Sequence, residues 1–384
     1  MATLFLNARH TGGAAINPYV HGARGLFAAQ LMVFHALFVE WPIYSFVQTK
    51  SGMFVIRILE YGVELFFCVS GYVMVQALGR AARPATFLRD RTLRILPLLC
   101  VVVLVSILFG LLDGKRTIWL LPGEALALLA VANMLALPGI LPVPIINPAT
   151  WTLSYEFLFY FGCALWLALQ ARGSRLGYMV LLVAAATFFI VYPRAIPFLV
   201  GVLVGCRGTV ASAGLARYPV PMTLAFLAGW ALMQALSPTS LIETHLWDWL
   251  LDARVFIAVL SVACLYFGFC GIVAGGGALG VFLTGRPLQV LGTVSYSFYL
   301  WQNVALGGAR RILKLLFGDD PHGLVNLAAY PILTFAILLP LSLASWRLIE
   351  VGCADGLRAL FRLERNRPAL PTGERGRAGS PGGE

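Results

Sequence analysis

The chain has 384 residues, of which 59% are hydrophobic and 12% charged, and its mean hydropathy is +0.83. A soluble globular domain carries about twice that share of charged residues, so the composition excludes one and indicates a protein in contact with lipid. The formal net charge is +11. No basic stripe with interleaved aromatic residues accompanies that charge, so we expect contact with anionic lipids and no nucleic-acid partner.

Apolar runs of membrane-spanning length recur along the chain, separated by short clusters of Arg, Pro and Gly. A bilayer core about 30 Å thick requires roughly 20 apolar residues for each helical crossing. The sequence therefore predicts an all-α, polytopic transmembrane helix bundle within residues 1–352, with about ten transmembrane helices. We place them at about residues 24–40, 58–78, 95–112, 148–169, 178–192, 195–206, 219–236, 255–273, 288–307 and 325–348.

The charge distribution orients this bundle. With the apolar stretch 124–137 taken as an outer interfacial helix, eighteen basic residues fall on the side of the N-terminus and nine on the other. Cytoplasmic loops are enriched in Lys and Arg, so we expect both termini in the cytoplasm. We also expect no cleaved signal peptide in the polar first twenty residues, and a disordered basic cytoplasmic tail at 353–384.

The seven cysteines lie mostly within predicted spans and show no close-spaced pairs. This pattern predicts neither a disulfide framework nor a metal site. Ionisable residues within the predicted spans are few, and His35, Glu60, Glu64 and Glu156 are the clearest. Each costs on the order of 3 kcal/mol or more at the centre of a bilayer unless it has a partner or a function. Function is therefore sought among these residues.

His35 is the histidine that the predicted spans place deepest in the membrane. Eleven positions separate it from Arg24, a spacing that puts both side chains on one helix face, about 16 Å apart along the axis. Arg24 is then expected at the cytoplasmic surface and His35 near the midplane. We interpret His35 as a candidate general base, and a structural histidine bonded to a neighbouring helix is the alternative.

Glu156 is predicted to approach the same depth from the outer side. Counted from Pro148, eight residues of helix carry Glu156 roughly 12 Å inward. A carboxylate beside an imidazole fixes its tautomer and raises its basicity. We therefore expect Glu156 to meet and orient His35, and a hydrogen bond that merely locks two helices is the alternative.

A basic stretch lies between the second and third predicted spans. Arg91 and Arg94 are three residues apart and would share a helix face, with Arg89 close by. Guanidinium groups suit bidentate phosphate binding. Arginines in a cytoplasmic loop are also what membrane orientation alone requires, so this pattern leaves both interpretations open.

Six short segments occur in one order between about residues 17 and 352: RGLFAAQLMVFH, GVELFFCVSGY, FLRDRTLRILP, WTLSYEFLFY, LGTVSYSFYLWQ and SWRLIE. In that order and spacing they resemble the acyltransferase 3 family, the integral membrane O-acyltransferases that acetylate surface polysaccharides and other glycans. The resemblance implies an enzyme of the bacterial cytoplasmic membrane with a cytoplasmic acyl-CoA donor, acetyl-CoA above all, and a carbohydrate or lipid-linked glycan acceptor.

The resemblance also implies roles for individual residues. Arg24 and His35 correspond to the catalytic Arg and His of the family's first helix, and Glu156 to the Glu of its Trp-x-Leu-x-x-Glu pattern. The basic stretch at 89–94 corresponds to the donor-binding segment. Gln302 stands where the family commonly has His, and because a neutral amide does not take up a proton, we assign no proton transfer to it.

Two other functions fit the same residues. A proton-coupled transporter or flippase would use Arg24, His35 and Glu156 as a relay. A structural role in polysaccharide export would need no ligand at all. Acyl-CoA binding separates the enzyme from both.

The predicted topology can be tested with single cysteines in a chain whose seven native cysteines are replaced by Ser. A cysteine at Lys115 should react with a membrane-impermeant thiol reagent applied to intact cells, because that loop is predicted to lie outside. A cysteine at Arg83 should react only after the cells are permeabilised. The reverse pattern would contradict the ten-span prediction.

Overall fold

The structure is a computed structural model that describes residues 17–38, 49–79, 83–113, 121–207, 214–236, 252, 254–318, 324–353 and 356. These residues form α-helices joined by turns, numbered here in chain order. They are α1 Pro18–Phe38, α2 Lys50–Glu60, α3 Gly62–Leu78, α4 Pro84–Asp113, α5 Gly123–Met134, α6 Thr150–Arg172, α7 Arg175–Val191, α8 Ile196–Arg207, α9 Pro219–Leu236, α10 Arg254–Ala274, α11 Gly277–Leu283, α12 Arg286–Phe317 and α13 Leu324–Ser345, which continues as a π-helical turn, Trp346–Val351.

The all-α membrane class predicted from the sequence is confirmed. Within the described ranges, six helical segments are long and apolar enough to cross a membrane, or seven if the bent pair α7 and α8 is counted as one span. The chain is therefore an integral membrane protein. By helix length and apolar composition alone, the described residues give six or seven crossings and not the predicted ten. The predicted tail at 353–384 and the loop around Lys115 lie almost entirely outside the described residues.

The basic stretch lies on a helix and not in a loop, which corrects the sequence interpretation. α4 begins at Pro84, eleven residues before the predicted span, so Arg89, Arg91 and Arg94 lie on its first turns. Proline is favoured at the first position of a helix because its fixed φ suits the helix and its missing N–H is not needed there. Arginine then continues the helix well. The stretch 124–137 does form a short helix, α5, of 12 residues.

α1 and α12 pack side by side through glycine. A Cβ atom at Gly25 would lie 2.5 Å from Leu288 O, and one at Gly292 on α12 would lie 2.2 Å from His21 O. Small residues permit such close approach of helices in a membrane. Near its start α1 contacts α12 through His21, 3.2 Å from Gln289 O, and further along Ala28 O accepts from Gln302. The two helices therefore run parallel, and we call the end of the bundle at which they begin the near end and the opposite end the far end.

Other contacts fix the remaining helix directions around α12. Tyr296 donates to Ile95 O in α4, and Asn147 bridges Ser106, further along α4, to Leu300 O, so α4 also runs from the near end to the far end. α13 runs the opposite way, because Tyr330 donates to Leu306 O and the later Ser345 accepts from Trp301. α1 thus begins, and α13 ends, at the near end.

α3 and α8 form a second glycine-mediated pair. A Cβ atom at Gly71 would lie 2.1 Å from Phe198 O, and one at Gly201 would lie 1.9 Å from Cys68 O. Neither glycine has a side chain, so the backbones of α3 and α8 can approach this closely. α8 follows α7 after a bend of 111°, so the contact with α3 anchors the second limb of the bent pair.

The packing of α8 on α3 can be tested with a single methyl group. Gly201→Ala should lower the thermal unfolding midpoint of the detergent-purified protein by several degrees, since overpacking of this kind costs about 1–3 kcal/mol. Gly162→Ala on α6 is the matched control, because a Cβ atom there meets nothing within 4 Å. Equal midpoints for the two variants would contradict the close packing.

Candidate active site

A cavity of about 90 Å³ lies inside the bundle, toward the near end, between α1, α3, α4, α6 and α12. Its apolar wall is made largely by α3. Its polar wall brings together residues that are far apart in the sequence: Arg24, Ser70, Arg91, Arg94, Glu156 and Tyr160. Four of the six predicted site residues therefore line one cavity.

Glu156 is held in this cavity by two hydroxyl groups. Ser70 of α3 donates to Glu156 Oε1 at 2.8 Å, and Tyr160, one turn further along α6, donates to the same oxygen. Arg24 and Arg91 also interact electrostatically with this carboxylate. Glu156 is thus the acidic member of a mainly basic cavity, and its immediate partners are hydroxyls.

The three arginines of the basic stretch do not act alike. Arg91 and Arg94 face the cavity, and the Arg91 guanidinium lies 5.7 Å from the centre of the Phe87 ring. The buried Nε of Arg91 makes no hydrogen bond within the described chain. Arg89 lies outside the cavity and pairs with Asp90 at 3.2 Å, with both side chains well exposed. The structure therefore leaves Arg89 out of the predicted cluster.

Glu350 adds a second carboxylate close to the arginines. It lies in the π-helical turn after α13, where Ser297 of α12 donates to it, and it interacts electrostatically with Arg24 and Arg94. π-Helical turns are rare and occur often at functional sites. The sequence interpretation gave Glu350 no role, although it closes the SWRLIE segment that carries the family resemblance.

His35 lies toward the far end of the same bundle. Its Nδ1 is 2.8 Å from Gln302 Oε1, and Gln302 Nε2 donates to Ala28 O at 3.3 Å. Tyr299, which lines the cavity, precedes Gln302 by three residues on α12, or about 4.5 Å along the helix axis. His35 is therefore about one helical turn beyond the level at which the cavity ends.

The predicted contact between His35 and Glu156 is wrong. The sequence argument counted the depth of Glu156 from an outer surface at Pro148. The preceding residue, Asn147, is already inside the bundle, where it donates to Leu300 O. From there α6 runs toward the near end. Glu156 therefore lies closer to the near end than His35 does, beside Ser70. His35 obtains its partner from α12 instead.

A buried ion-pair cluster lies where α7 meets α8. Arg194 is 2.5 Å from Glu64 and 3.6 Å from Glu60, and its guanidinium lies 4.9 Å from the centre of the Trp151 ring. The sequence singled out both glutamates by depth but placed Arg194 in an outer loop. These contacts bind the bend between α7 and α8 to α3. Breaking a buried ion pair leaves a charge unpaired and destabilises the fold. We therefore infer that this cluster stabilises the structure.

Comparison with known proteins decides the class of the protein. The family model described as an acyltransferase domain matches residues 17–347. The chain belongs to this acyltransferase family. Its membership confirms the resemblance predicted from the six segments, and with it the prediction of an O-acyltransferase enzyme. The residues that carry out the reaction are not identified by the family match and stay predictions.

Two relatives carry functional names. Acyltransferase MdmB of Streptomyces mycarofaciens is 30% identical over 151 residues, which cover 38% of this chain and 38% of that protein. Exopolysaccharide production protein ExoZ of Rhizobium meliloti (strain 1021) is 27% identical over 269 residues, 64% of this chain and 76% of that protein. No solved structure matches the chain.

Proposed function

We propose that this acyltransferase moves an acetyl group from cytoplasmic acetyl-CoA to a hydroxyl group of a glycan or glycolipid at the bacterial cytoplasmic membrane. The observation that carries the proposal is the arrangement of the bundle interior. Three arginines face a cavity at the near end, and an imidazole lies about one turn beyond its far limit. A binding site for the donor phosphates and a proton-accepting group thus lie along one path.

The near end suits an acyl-CoA donor. Arg91 and Arg94 lie three residues apart on the first turns of α4, and Arg94 is exposed. Two guanidinium groups at this spacing can bind phosphate through charge-assisted hydrogen bonds. The Nε of Arg91, which lacks a protein partner within the described chain, adds a donor for such a ligand. Arg24 lies at the same cavity and is placed to interact with the inner part of the donor.

The proposal requires the near end to face the cytoplasm. The contacts that place the start of α1 and the end of α13 at one end support an even number of crossings, such as the ten proposed here. The surplus of basic residues on the side of the N-terminus supports a cytoplasmic near end.

The catalytic step proposed here uses His35. Its imidazole accepts the proton of an acceptor hydroxyl, and the resulting oxygen attacks the thioester carbonyl carbon. A C–O bond forms, the C–S bond breaks, and the CoA thiolate takes up the proton held by the imidazole. Since His35 lies beyond Tyr299, the thioester must extend past this side chain to react.

Glu156 takes a role on the donor side. It lies among Arg24, Ser70 and Tyr160, away from His35, so it cannot orient the imidazole directly. We propose that it fixes the positions of the arginines that bind the donor and of the two hydroxyls that line the donor's path through the cavity.

The names of the relatives agree with this class of acceptor. ExoZ is named for exopolysaccharide production and MdmB for acyl transfer. Since the alignment with MdmB covers 38% of that protein, its acceptor is no guide to the acceptor here. ExoZ is matched over a larger share, and its name favours a polysaccharide or its lipid-linked precursor.

The donor site can be tested by neutralising its arginines. Arg91→Gln together with Arg94→Gln should weaken CoA binding at least about 100-fold, because each charge-assisted phosphate contact contributes about 1.5–3 kcal/mol. Arg89→Gln should leave binding unchanged, since Arg89 pairs with Asp90 outside the cavity. The measurement is titration calorimetry of detergent-purified protein with CoA. Unchanged affinity in a double variant with a wild-type melting temperature would move the donor site elsewhere.

The catalytic role of His35 can be tested separately from donor binding. His35→Ala should lower the rate of acetyl transfer about 100- to 10,000-fold and leave CoA affinity unchanged, because His35 lies beyond the cavity. His21→Ala is the matched control, since His21 is also on α1 and also contacts α12, 3.2 Å from Thr293 Oγ1. Glu156→Gln should instead alter the KM for acetyl-CoA.

The measurement for these three variants is transfer of radiolabelled acetyl from acetyl-CoA to extracted glycan and glycolipid in permeabilised membranes with equal amounts of each variant. Labelling at the wild-type rate in His35→Ala would refute the proposed catalytic step. An equal loss in His21→Ala would show that the loss reflects disturbed packing between α1 and α12.

A further inference from the structure

We infer that Gln302 is a positioning residue for acyl transfer, which holds His35 in the tautomer protonated at Nδ1 and leaves Nε2 as the reactive nitrogen. The inference rests on the catalytic role proposed for His35. Gln302 takes part in no proton transfer, and its role is to orient His35. It also names the atom of the imidazole that meets the acceptor hydroxyl.

Only one orientation of the Gln302 amide suits its neighbours. An amide side chain has a nitrogen that only donates hydrogen bonds and an oxygen that only accepts them. Ala28 O is 3.3 Å from Gln302 Nε2, and a backbone carbonyl can only accept. The opposite orientation of the amide would set two oxygens against each other. The Ala28 carbonyl therefore turns Gln302 Oε1 toward His35.

The orientation of the amide determines where the imidazole proton lies. His35 Nδ1 is 2.8 Å from Gln302 Oε1, and this oxygen has no proton to give. Nδ1 must therefore carry the hydrogen, and in a neutral imidazole the lone pair then lies on Nε2. A general base needs that lone pair directed at the acceptor proton. Gln302 thus selects the tautomer that the proposed reaction requires.

The surroundings keep this arrangement rigid. Gln302 is 2% exposed, and its neighbour Trp301 is also buried. Ala28 belongs to α1, which is held against α12 by the glycine contacts at Gly25 and Gly292. α1 carries both Ala28 and His35. The Ala28 carbonyl orients the Gln302 amide, and the amide in turn orients the His35 ring. The amide therefore has little freedom to flip.

The choice of an amide has a chemical consequence. Gln302 accepts a hydrogen bond but takes up no proton, so the proton removed from the acceptor stays on the His35 ring until the thiolate receives it. Gln302 itself touches neither reacting group in this scheme. Its effect on the rate should therefore pass entirely through His35.

Two substitutions of similar size separate positioning from packing. Gln302→Met fills the space but has no acceptor for the Nδ1 hydrogen, so it should lower the maximal transfer rate at least about 10-fold with the KM for acetyl-CoA unchanged. Gln302→Glu, protonated in this buried position, donates its hydroxyl to Ala28 O and keeps an accepting oxygen toward His35 Nδ1, so it should retain at least about a third of the wild-type rate. This rescue is not expected of a residue that only fills space.

Gln289→Met supplies the matched control. Gln289 also lies on α12, and its Nε2 donates to Pro18 O at the start of α1 and to Leu283 O, each at 2.8 Å. It links the same two helices without contacting His35. Gln289→Met should lower the thermal unfolding midpoint as much as Gln302→Met does, with the transfer rate per folded molecule unchanged.

The experiment measures acetyl transfer to endogenous acceptors in permeabilised membranes from the cells that naturally make the protein, with the variant genes in place of the native one. Acetyl-CoA concentration is varied to separate KM from the maximal rate. His35→Ala is measured in parallel. If His35→Ala is inactive while Gln302→Met reaches the wild-type maximal rate, the inference on Gln302 is overturned and the proposed function stands.

Other outcomes distinguish the remaining cases. If His35→Ala is fully active, the proposed catalytic step fails before Gln302 is considered. If Gln302→Glu is as slow as Gln302→Met, the accepting oxygen is not what matters, and the positioning role is refuted. Should Gln302→Met fail to fold, Gln302→Leu takes its place, and its maximal transfer rate is compared with that of Gln302→Glu in the same way.

Discussion

Polar groups inside a membrane must find their partners on other helices, and the rest of this structure depends on that constraint. Burying a charged or hydrogen-bonding side chain in lipid costs on the order of 3 kcal/mol or more unless it is paired. Glu156 meets this requirement through Ser70 and Tyr160, and His35 meets it through Gln302. Each partner comes from a different part of the sequence or from the next turn of the helix, so satisfying the polar groups also specifies which helices pack together.

Close packing of helices makes these polar contacts possible. At Gly22, Gly25, Gly71 and Gly201 a Cβ atom would lie within 2.5 Å of a backbone carbonyl oxygen on the facing helix. Without side chains between them, the helix backbones approach closely enough for short polar side chains to reach across. The bond from Gln302 to Ala28 O is one such contact. The geometry proposed for catalysis is thus a consequence of backbone packing.

The bundle separates two kinds of chemistry along its length. Positive charge collects at the near end, where Arg91 and Arg94 face the cavity together with Arg24. The imidazole lies toward the far end, where its Nδ1 is hydrogen-bonded to Gln302. Such a division would suit the proposed reaction, in which the donor phosphates would stay at the surface while the thioester enters the bundle. The ion pairs of Arg194 lie apart from this path, at the bend between α7 and α8.

The sequence by itself determined the membrane class, the approximate positions of most helices, the family and four of the residues that line the cavity. These properties depend on local composition and on spacing along one helix, as with the 100° rotation per residue that set Arg24 and His35 on one face. Tertiary structure alone decided which side chains meet. The depth of Glu156 could not be counted from Pro148, because the segment before α6 enters the bundle through Asn147. The sequence placed Arg91 and Arg94 on one helix face, but only the packing of α4 shows that this face lines a cavity and that Arg89 lies outside it, beside Asp90. The partners of Arg194 and of His35 lie on helices more than 100 residues away, and no local pattern records contacts of that range.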